Sequence, residues 1–210
     1  MPRHLLHTLL CAAALTLASC SDDDSGPPYP SLLSEMAMAT ADSSGNIQAF
    51  RTDGGSVYRV SNTITGMLPN SIMRTLIDYA VESEGVAKIY AAQQVPVVGD
   101  VTAGEKRLHD AQGVVSVWKA AGYINMHLMP RTQGGRQAYG YVRDSVATSP
   151  SGQQTLHISL YHDQANDPAS YSRHIYASIS ADSIAARHHP DSVALHIFTF
   201  AGWQEWHFPL

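Results

Sequence analysis

The segment LHISLYH, residues 156–162, contains the clearest alternation of apolar and polar side chains in the chain. Successive side chains of a strand point to opposite faces, so Leu156, Ile158 and Leu160 share one face. The segment therefore predicts a strand in a β-rich fold.

Similar strand-forming runs recur through the second half of the chain. They lie at 114–118, 122–129, 138–142, 175–179, 193–197 and 203–208. About six or seven strands at this spacing predict an antiparallel β-sandwich over residues 113–210. One helical turn is expected among them, capped by Asp182 and ending before Pro190.

The first half predicts a small barrel. An Asp-Gly-Gly turn at 53–55 separates two β-forming segments, which is typical of a β-hairpin. The runs at 36–41, 47–51, 57–60, 75–81 and 86–90 bring the count to about five strands with little helical periodicity. We expect an OB-like barrel over residues 32–103; an SH3-like barrel fits the strand count equally well. The polar stretch 99–113 is the predicted domain boundary.

The N-terminus predicts a lipoprotein signal over residues 1–19. Arg3 precedes an apolar run that is shorter than the roughly 20 residues of a membrane-spanning helix, which favours a cleaved signal. The segment LASC, residues 17–20, resembles the bacterial lipobox, in which the cysteine thiol receives the lipid. Cys20 is therefore the predicted lipid attachment site, and the lipid is the expected link to the membrane.

An acidic run directly follows the predicted lipid site. Ser21, Asp22, Asp23 and Asp24 resemble the export signal of Bacteroidetes surface lipoproteins, which predicts an outer-membrane protein displayed on the cell surface. A location facing the periplasm is the alternative. The whole segment 20–31 is rich in acids and proline and predicts a spacer between lipid and fold.

Composition and charge exclude several classes of protein. Hydrophobic residues make up 44% and charged residues 15%, which favours a core-forming chain. Loss of Arg3 with the signal leaves 12 of the 13 basic residues against 18 acidic ones, a balance of −6, which does not favour nucleic acid. Cys11 lies in the signal and Cys20 carries lipid, so we expect no disulfide in the mature fold.

These features together resemble the NigD-like lipoproteins of Bacteroidetes. The resemblance rests on Cys20 with the acids behind it, on the 53–55 hairpin leading to Val57-Tyr58, and on the closing β segments. It covers most of the mature chain. It implies an OB-like domain, a β-sandwich domain and an envelope location, and it implies no mechanism.

The sequence predicts no catalytic, cofactor-binding or metal-binding residue. The S-x-x-K pattern at 116–119 is found in penicillin-recognising enzymes, but its surroundings predict a strand and the companion motifs S-D-N and K-T-G do not occur. His188 and His189 are adjacent, which directs their rings apart, and the spacing of His157 and His162 predicts opposite faces of a strand. Exposed histidines on β-strand faces explain the eleven histidines more simply than a metal site does.

Two aromatic groups are candidate binding surfaces. Phe50-Arg51 and Tyr58-Arg59 lie where an OB-fold binds oligonucleotides or sugars. Alternation puts the members of each pair on opposite faces, so the rings are expected to pack in the core or at its rim.

The closing strand carries the second aromatic group. Trp206 and Phe208 share one face of this strand and Trp203 falls on the other. We expect the strand to seal the sandwich.

The predicted function is that of a non-catalytic, lipid-anchored envelope protein that needs no cofactor. Its expected partner is another envelope protein or an extracellular glycan, reached by binding or assembly. The alternatives are a glycan-binding accessory lipoprotein and an envelope hydrolase with an unrecognised site.

Overall fold

The computed structural model describes residues 30–101 and 108–210. Cys20 and the acidic run 21–24 lie outside the described residues, as do the predicted signal and most of the spacer. The predictions made for them stay predictions.

Five strands in the first half of the chain close into a barrel. They are β1 (Leu33–Ala41), β2 (Ile47–Thr52), β3 (Val57–Val60), β4 (Ile72–Ser83) and β5 (Val86–Gln94). Their order is β1-β2-β3-β5-β4, and pairing of β1 with β4 completes the closure. Because β3 pairs in parallel with β5 rather than with β4, the barrel has a Greek-key crossover, which confirms the OB-like prediction.

Small side chains on β1 make room for an aromatic core in the barrel. Ala37 and Ala39 are fully buried. The ring of Phe50 lies 4.9 Å from that of Tyr79, edge to face, and 5.3 Å from that of Tyr58. Such tilted arrangements are the favoured geometry for aromatic pairs, so three rings fill the interior that the alanines leave open.

The remaining elements form the second half of the fold. They are β6 (Val97–Val98), β7 (Gly113–Ala120), β8 (Tyr123–Met129), β9 (Arg131–Thr132), β10 (Ala138–Thr148), β11 (Gln154–Asp163), β12 (Tyr171–Ser172), β13 (Ile175–Ser180), α1 (Ala181–His188), β14 (Ser192–Thr199) and β15 (Gly202–Pro209). One sheet has the order β10-β11-β14-β15 and another the order β6-β13-β8-β7, while β9 and β12 form a separate short pair.

The two four-stranded sheets share one apolar core, which confirms the predicted sandwich. Leu156, Ile158 and Leu160 of β11 are buried in the same cluster as Ile124 and Met126 of β8. Most neighbouring strands are antiparallel; β11 with β14 and β13 with β6 are parallel. The alternation at residues 156–162 therefore arises because one face of β11 packs in the core.

The helix begins earlier than its sequence predicts. Ser180, not Asp182, is the N-cap, and its hydroxyl oxygen accepts a hydrogen bond from the amide of Ser183 at 3.1 Å. The reason is that β13 ends at Ser180, which leaves this hydroxyl available to the first turn. The helix is eight residues long and ends before Pro190, as predicted. Among the described residues, no helix has the length and apolar character to cross a bilayer.

The two-residue connection Val95-Pro96 is bonded to both halves of the fold. The amide of Val95 donates to the carbonyl of Arg74 at 2.8 Å, and the carbonyl of Pro96 accepts from the amide of Ser178 at 2.9 Å. Strand β6 then joins the sandwich sheet of β13, ahead of the stretch 99–113 that the sequence favours as the boundary.

Candidate functional site: a histidine-lined sheet face

The S-x-x-K segment and the adjacent histidines lie in geometries that suit neither nucleophilic catalysis nor joint metal ligation. Ser116 and Lys119 belong to β7, where residues three apart face opposite sides, and the ammonium of Lys119 donates to the carbonyl of Pro209. His188 is the last residue of α1, whereas His189 is its left-handed C-cap.

The aromatic and arginine pairs of the barrel separate as predicted. Phe50 is 1% exposed, and Tyr58 packs against the same core cluster. Arg51 and Arg59 are exposed on the outside. The rings are therefore occupied in the core and do not form a stacking surface with the arginines.

Three neighbouring strands bring histidines and a carboxylate together on the outer face of one sandwich sheet. His157 of β11, His196 of β14 and Glu205 of β15 each offer a ligand atom, and these atoms lie within 4.8 Å of one another. Alternation explains the placement, because Leu156 and Leu195 next to them point into the core.

Contacts between these side chains form a continuous chain across the sheet. His157 Nδ1 lies 3.1 Å from His196 Nε2, and His196 Nδ1 lies 3.3 Å from Glu205 Oε2. The other carboxylate oxygen of Glu205 contacts Nε2 of His207. We call these four residues the histidine face. The hydrogen bond from His207 lowers the pKa of Glu205, and the neighbouring imidazoles act in the same direction, so the carboxylate is anionic near neutral pH.

A solvent-open groove of about 350 Å³ adjoins the histidine face. It is lined by His109, Asp144, Ser145, His157, Ser159, His196 and Trp203. Trp203 is 54% exposed, and the imidazole of His109 packs edge-on against its ring, with centroids 5.2 Å apart. The groove thus combines polar groups with one large exposed aromatic ring.

The prediction for the closing strand is confirmed for its inner face. Trp206 and Phe208 pack against the sandwich core, and Trp203 lies on the other face.

Ser159, His196 and Glu205 are the residue types of a hydrolase triad and occupy three adjacent strands, but their contacts differ from those of a triad. The Ser159 hydroxyl donates to Asp144 at 3.2 Å, and His196 Nε2 faces His157 rather than a serine. A triad requires the base nitrogen at the nucleophile's hydroxyl. This arrangement therefore does not activate Ser159.

A buried polar network ties the barrel to the sandwich within the compact unit Ser31–Leu210. The guanidinium of Arg74 on β4 donates two hydrogen bonds to the carboxylate of Asp53, each of 2.6 Å. It also donates to Asn125 of β8 at 2.8 Å and to Ser178 of β13 at 3.4 Å. A charge buried this deeply needs such complete pairing.

The ring of Tyr123 completes the surroundings of this guanidinium. Its centroid lies 4.3 Å from Cζ of Arg74, within the range of a cation–π contact. Strands β8 and β13 of the sandwich and the 53–55 turn of the barrel therefore converge on the Arg74 side chain, which holds the groove-bearing sandwich and the barrel together.

A second carboxylate organises the loop before β10. Asp167 accepts hydrogen bonds from the amides of Gln133 and Gly135, at 3.0 and 3.1 Å, and from the side chains of Thr132 and Gln137. The hydrogen bond from Thr132 and its companions lower the pKa of Asp167 to about 2. The carboxylate is therefore a structural anion that fixes this loop.

His162 lies on the inner side of β11, opposite His157, as its spacing predicts. It is 1% exposed and its ring stacks on that of Tyr139, with centroids 4.6 Å apart. Burial lowers the pKa of His162. Its contacts are those of a packed histidine, separate from the histidine face.

Sequence reasoning did not identify His196 and Glu205 as partners of His157. His157 and His196 are 39 positions apart along the chain, and Glu205 follows His196 by nine. Their proximity depends on the parallel pairing of β11 with β14 and on the antiparallel pairing of β14 with β15. The sequence signal that could have found them is the alternation of inward and outward positions along each strand. All three residues stand at polar positions between buried neighbours or on the outward side of a strand, but the strand order has to be known first.

The fold is that of a two-part, all-β protein with an OB-like barrel followed by a β-sandwich. A family model described as the NigD-like C-terminal β-sandwich domain matches residues 96–210. The chain belongs to the NigD-like family.

Solved structures with the same fold come from Bacteroides and Parabacteroides. A NigD-like immunity protein from Bacteroides caccae is 26% identical with a TM-score of 0.67, and the alignment covers 87% of this chain and 99% of that one. A lipoprotein candidate from Bacteroides fragilis is 14% identical, with a TM-score of 0.59 and coverage of 84% and 96%. A toxin-related candidate from Parabacteroides distasonis is 13% identical, with a TM-score of 0.62 and coverage of 85% and 93%. No curated protein matches the sequence.

Proposed function

We propose that this chain is a non-catalytic, lipid-anchored protein of the bacterial envelope that binds a protein partner through the groove beside Trp203. The observation that carries the proposal is the exposed tryptophan on strand β15, next to convergent polar side chains. Tryptophan is enriched at the energetically dominant positions of protein interfaces.

The proposed location rests on the N-terminal sequence. Cys20 follows the features of a lipobox, and the acids behind it favour display at the cell surface. The description of the Bacteroides fragilis relative as a lipoprotein candidate supports an envelope location. A lipid at Cys20 would hold the chain on a membrane without a spanning helix.

A protein partner is favoured over a glycan by one specific comparison. The Bacteroides caccae relative is described as an immunity protein, and the immunity proteins of colicin DNases bind their toxin proteins directly. The acidic balance of the mature chain disfavours nucleic acid. A glycan-binding role is the second candidate, because an exposed tryptophan with nearby polar groups also suits a sugar ring.

The contacts of Ser159 and His196 do not support a hydrolase. Ser159 donates to Asp144, His196 hydrogen-bonds with His157, and the other ring nitrogen of His196 lies 3.3 Å from the carboxylate of Glu205. Neither side chain has the contact that would make the serine a nucleophile.

Chemical cross-linking in intact cells tests the proposal. The full lipoprotein, Trp203→Ala and the matched control Tyr90→Ala are compared, since Tyr90 is an exposed aromatic residue on the barrel at 45% exposure. We expect one stoichiometric protein partner with the parent and with Tyr90→Ala, and at least a roughly 30-fold loss with Trp203→Ala, as for a hot-spot residue.

Two results would overturn the proposed function. If Trp203→Ala captures the same protein partner as the parent does, the partner does not bind through the groove. The second result is that an extracellular polysaccharide stabilises the purified parent chain against heat but not Trp203→Ala, while no protein partner is captured in cells. The ligand of the groove would then be a glycan and not a protein.

A further inference from the structure

We propose that His157, His196 and Glu205 form a binding site for one divalent transition-metal ion of the zinc type. This site lies on the histidine face, and its two histidines also line the groove beside Trp203, but metal binding requires no protein partner. It uses side chains from β11, β14 and β15, whose ligand atoms already lie within 4.8 Å of one another.

The spacing of the two imidazoles suits a shared metal ion. His157 Nδ1 and His196 Nε2 are 3.1 Å apart. Two ligands on a tetrahedral zinc ion, with bonds of about 2.0–2.1 Å, are separated by about 3.3 Å. The ion would take the place of the hydrogen-bonding proton between the rings, with a small opening of the pair. The carboxylate of Glu205, now 3.3 Å from His196 Nδ1, would turn toward His196 Nε2 to complete the ligand set.

The donor types point to the same class of ion. Two imidazole nitrogens with one carboxylate are a combination that zinc accepts, whereas magnesium and calcium prefer all-oxygen sites. Glu205 adds a carboxylate oxygen to the two imidazole nitrogens. Zinc sites with three protein ligands keep a further position for water or another ligand.

The surroundings hold the ligands in place. The strand neighbours Leu156 and Leu195 are buried in the sandwich core, so the backbone that carries both histidines is anchored by packing. His207 contacts the second oxygen of Glu205 and orients the carboxylate. The side chains of His196 and Glu205 are 25% and 41% exposed, which leaves the site accessible from solvent.

Calorimetric titration with zinc chloride tests this assignment. The mature chain from residue 20 is used with Cys20→Ser, which removes its one thiol as a competing ligand. The variants are His157→Gln, His196→Gln, Glu205→Gln and His207→Gln. The control is His127→Gln, because His127 and His174 form another histidine pair, with ring nitrogens 2.8 Å apart.

We expect one zinc ion per chain and at least a roughly tenfold loss of affinity in each ligand variant, equal to about 1.4 kcal/mol. His207→Gln should weaken binding by about 10-fold as an orienting residue, and His127→Gln should leave it unchanged. Zinc should also raise the melting temperature of the parent but not of His196→Gln, whose circular dichroism spectrum without zinc verifies its fold. The assignment is overturned if the parent shows no saturable binding, if His196→Gln binds undiminished, or if the loss occurs in His127→Gln instead.

Discussion

Arg74 and Asp53 form a bidentate ion pair at the junction of barrel and sandwich, with both nitrogen–oxygen distances at 2.6 Å. The side chain of Arg74 is fully buried and that of Asp53 is 13% exposed. Asp53 comes from the Asp-Gly-Gly hairpin of the barrel, whereas the further partners Asn125 and Ser178 come from the sandwich. One guanidinium therefore links two parts of the chain that have separate hydrophobic clusters.

Replacing Asp53 by Asn should destabilise the fold strongly. The variant leaves the buried guanidinium without its counter-charge, a change that typically costs about 3–5 kcal/mol. The matched control is Asp100→Asn, which breaks the more exposed pair of Asp100 with Arg143 and should cost about 0–1 kcal/mol. Urea unfolding followed by circular dichroism gives both free energies. Equal, small costs would show that the Arg74 pair does not support the junction.

Two barrel glycines should differ in their tolerance of alanine. Gly45 and Gly55 both have positive φ, 78° and 93°, which costs an alanine about 1–2 kcal/mol. A Cβ at Gly45 would also lie 2.4 Å from the backbone oxygen of Met67, whereas a Cβ at Gly55 meets nothing within 4 Å. Gly45→Ala should therefore lose at least about 1 kcal/mol more than Gly55→Ala, measured by the same urea method. The same loss in both variants would refute the close approach of Met67.

Protonation of Asp167 should destabilise the fold in acid. Its pKa is lowered from 3.8 to about 2, so its hydrogen bonds contribute fully above the ordinary value and are lost as the pH falls toward 2. Asp167→Asn should lower the urea midpoint between pH 7 and about pH 5, and its difference from the parent should narrow below about pH 4. A difference that stays constant down to pH 2 would contradict this role.

The acidic run should affect location and not anchoring. Replacing Asp22, Asp23 and Asp24 by alanine should keep lipid labelling and membrane association but reduce digestion by protease added outside the cells. The parent chain and a periplasmic marker protein serve as references for exposed and shielded proteins. Unchanged digestion would leave the run as a spacer without an export role.

The fold was more accessible from the sequence than the candidate site. The alternation of Leu156, Ile158 and Leu160 depends on local periodicity, so the sequence predicts it directly. Pairing of β3 with β5, or of β11 with β14, joins distant segments, and strand periodicity does not specify a partner.

The same limit explains why local sequence patterns identify neither the proposed metal ligands nor the helix cap. His157 lies beside His196 only through the parallel pairing of their strands, which local spacing does not encode. Ser180 caps α1 because β13 ends there, and the sequence offers Asp182 as an equally acceptable cap two residues later.

The most direct test of the account is metabolic labelling with a fatty-acid analogue, followed by separation of membrane and soluble fractions. The parent chain should be labelled and found with the membranes, whereas Cys20→Ala should be unlabelled and released. The replacement of Cys11 by alanine, a thiol within the predicted signal, should leave labelling unchanged. Equal labelling of the parent and Cys20→Ala would contradict a lipid anchor at this residue and, with it, the proposed envelope protein.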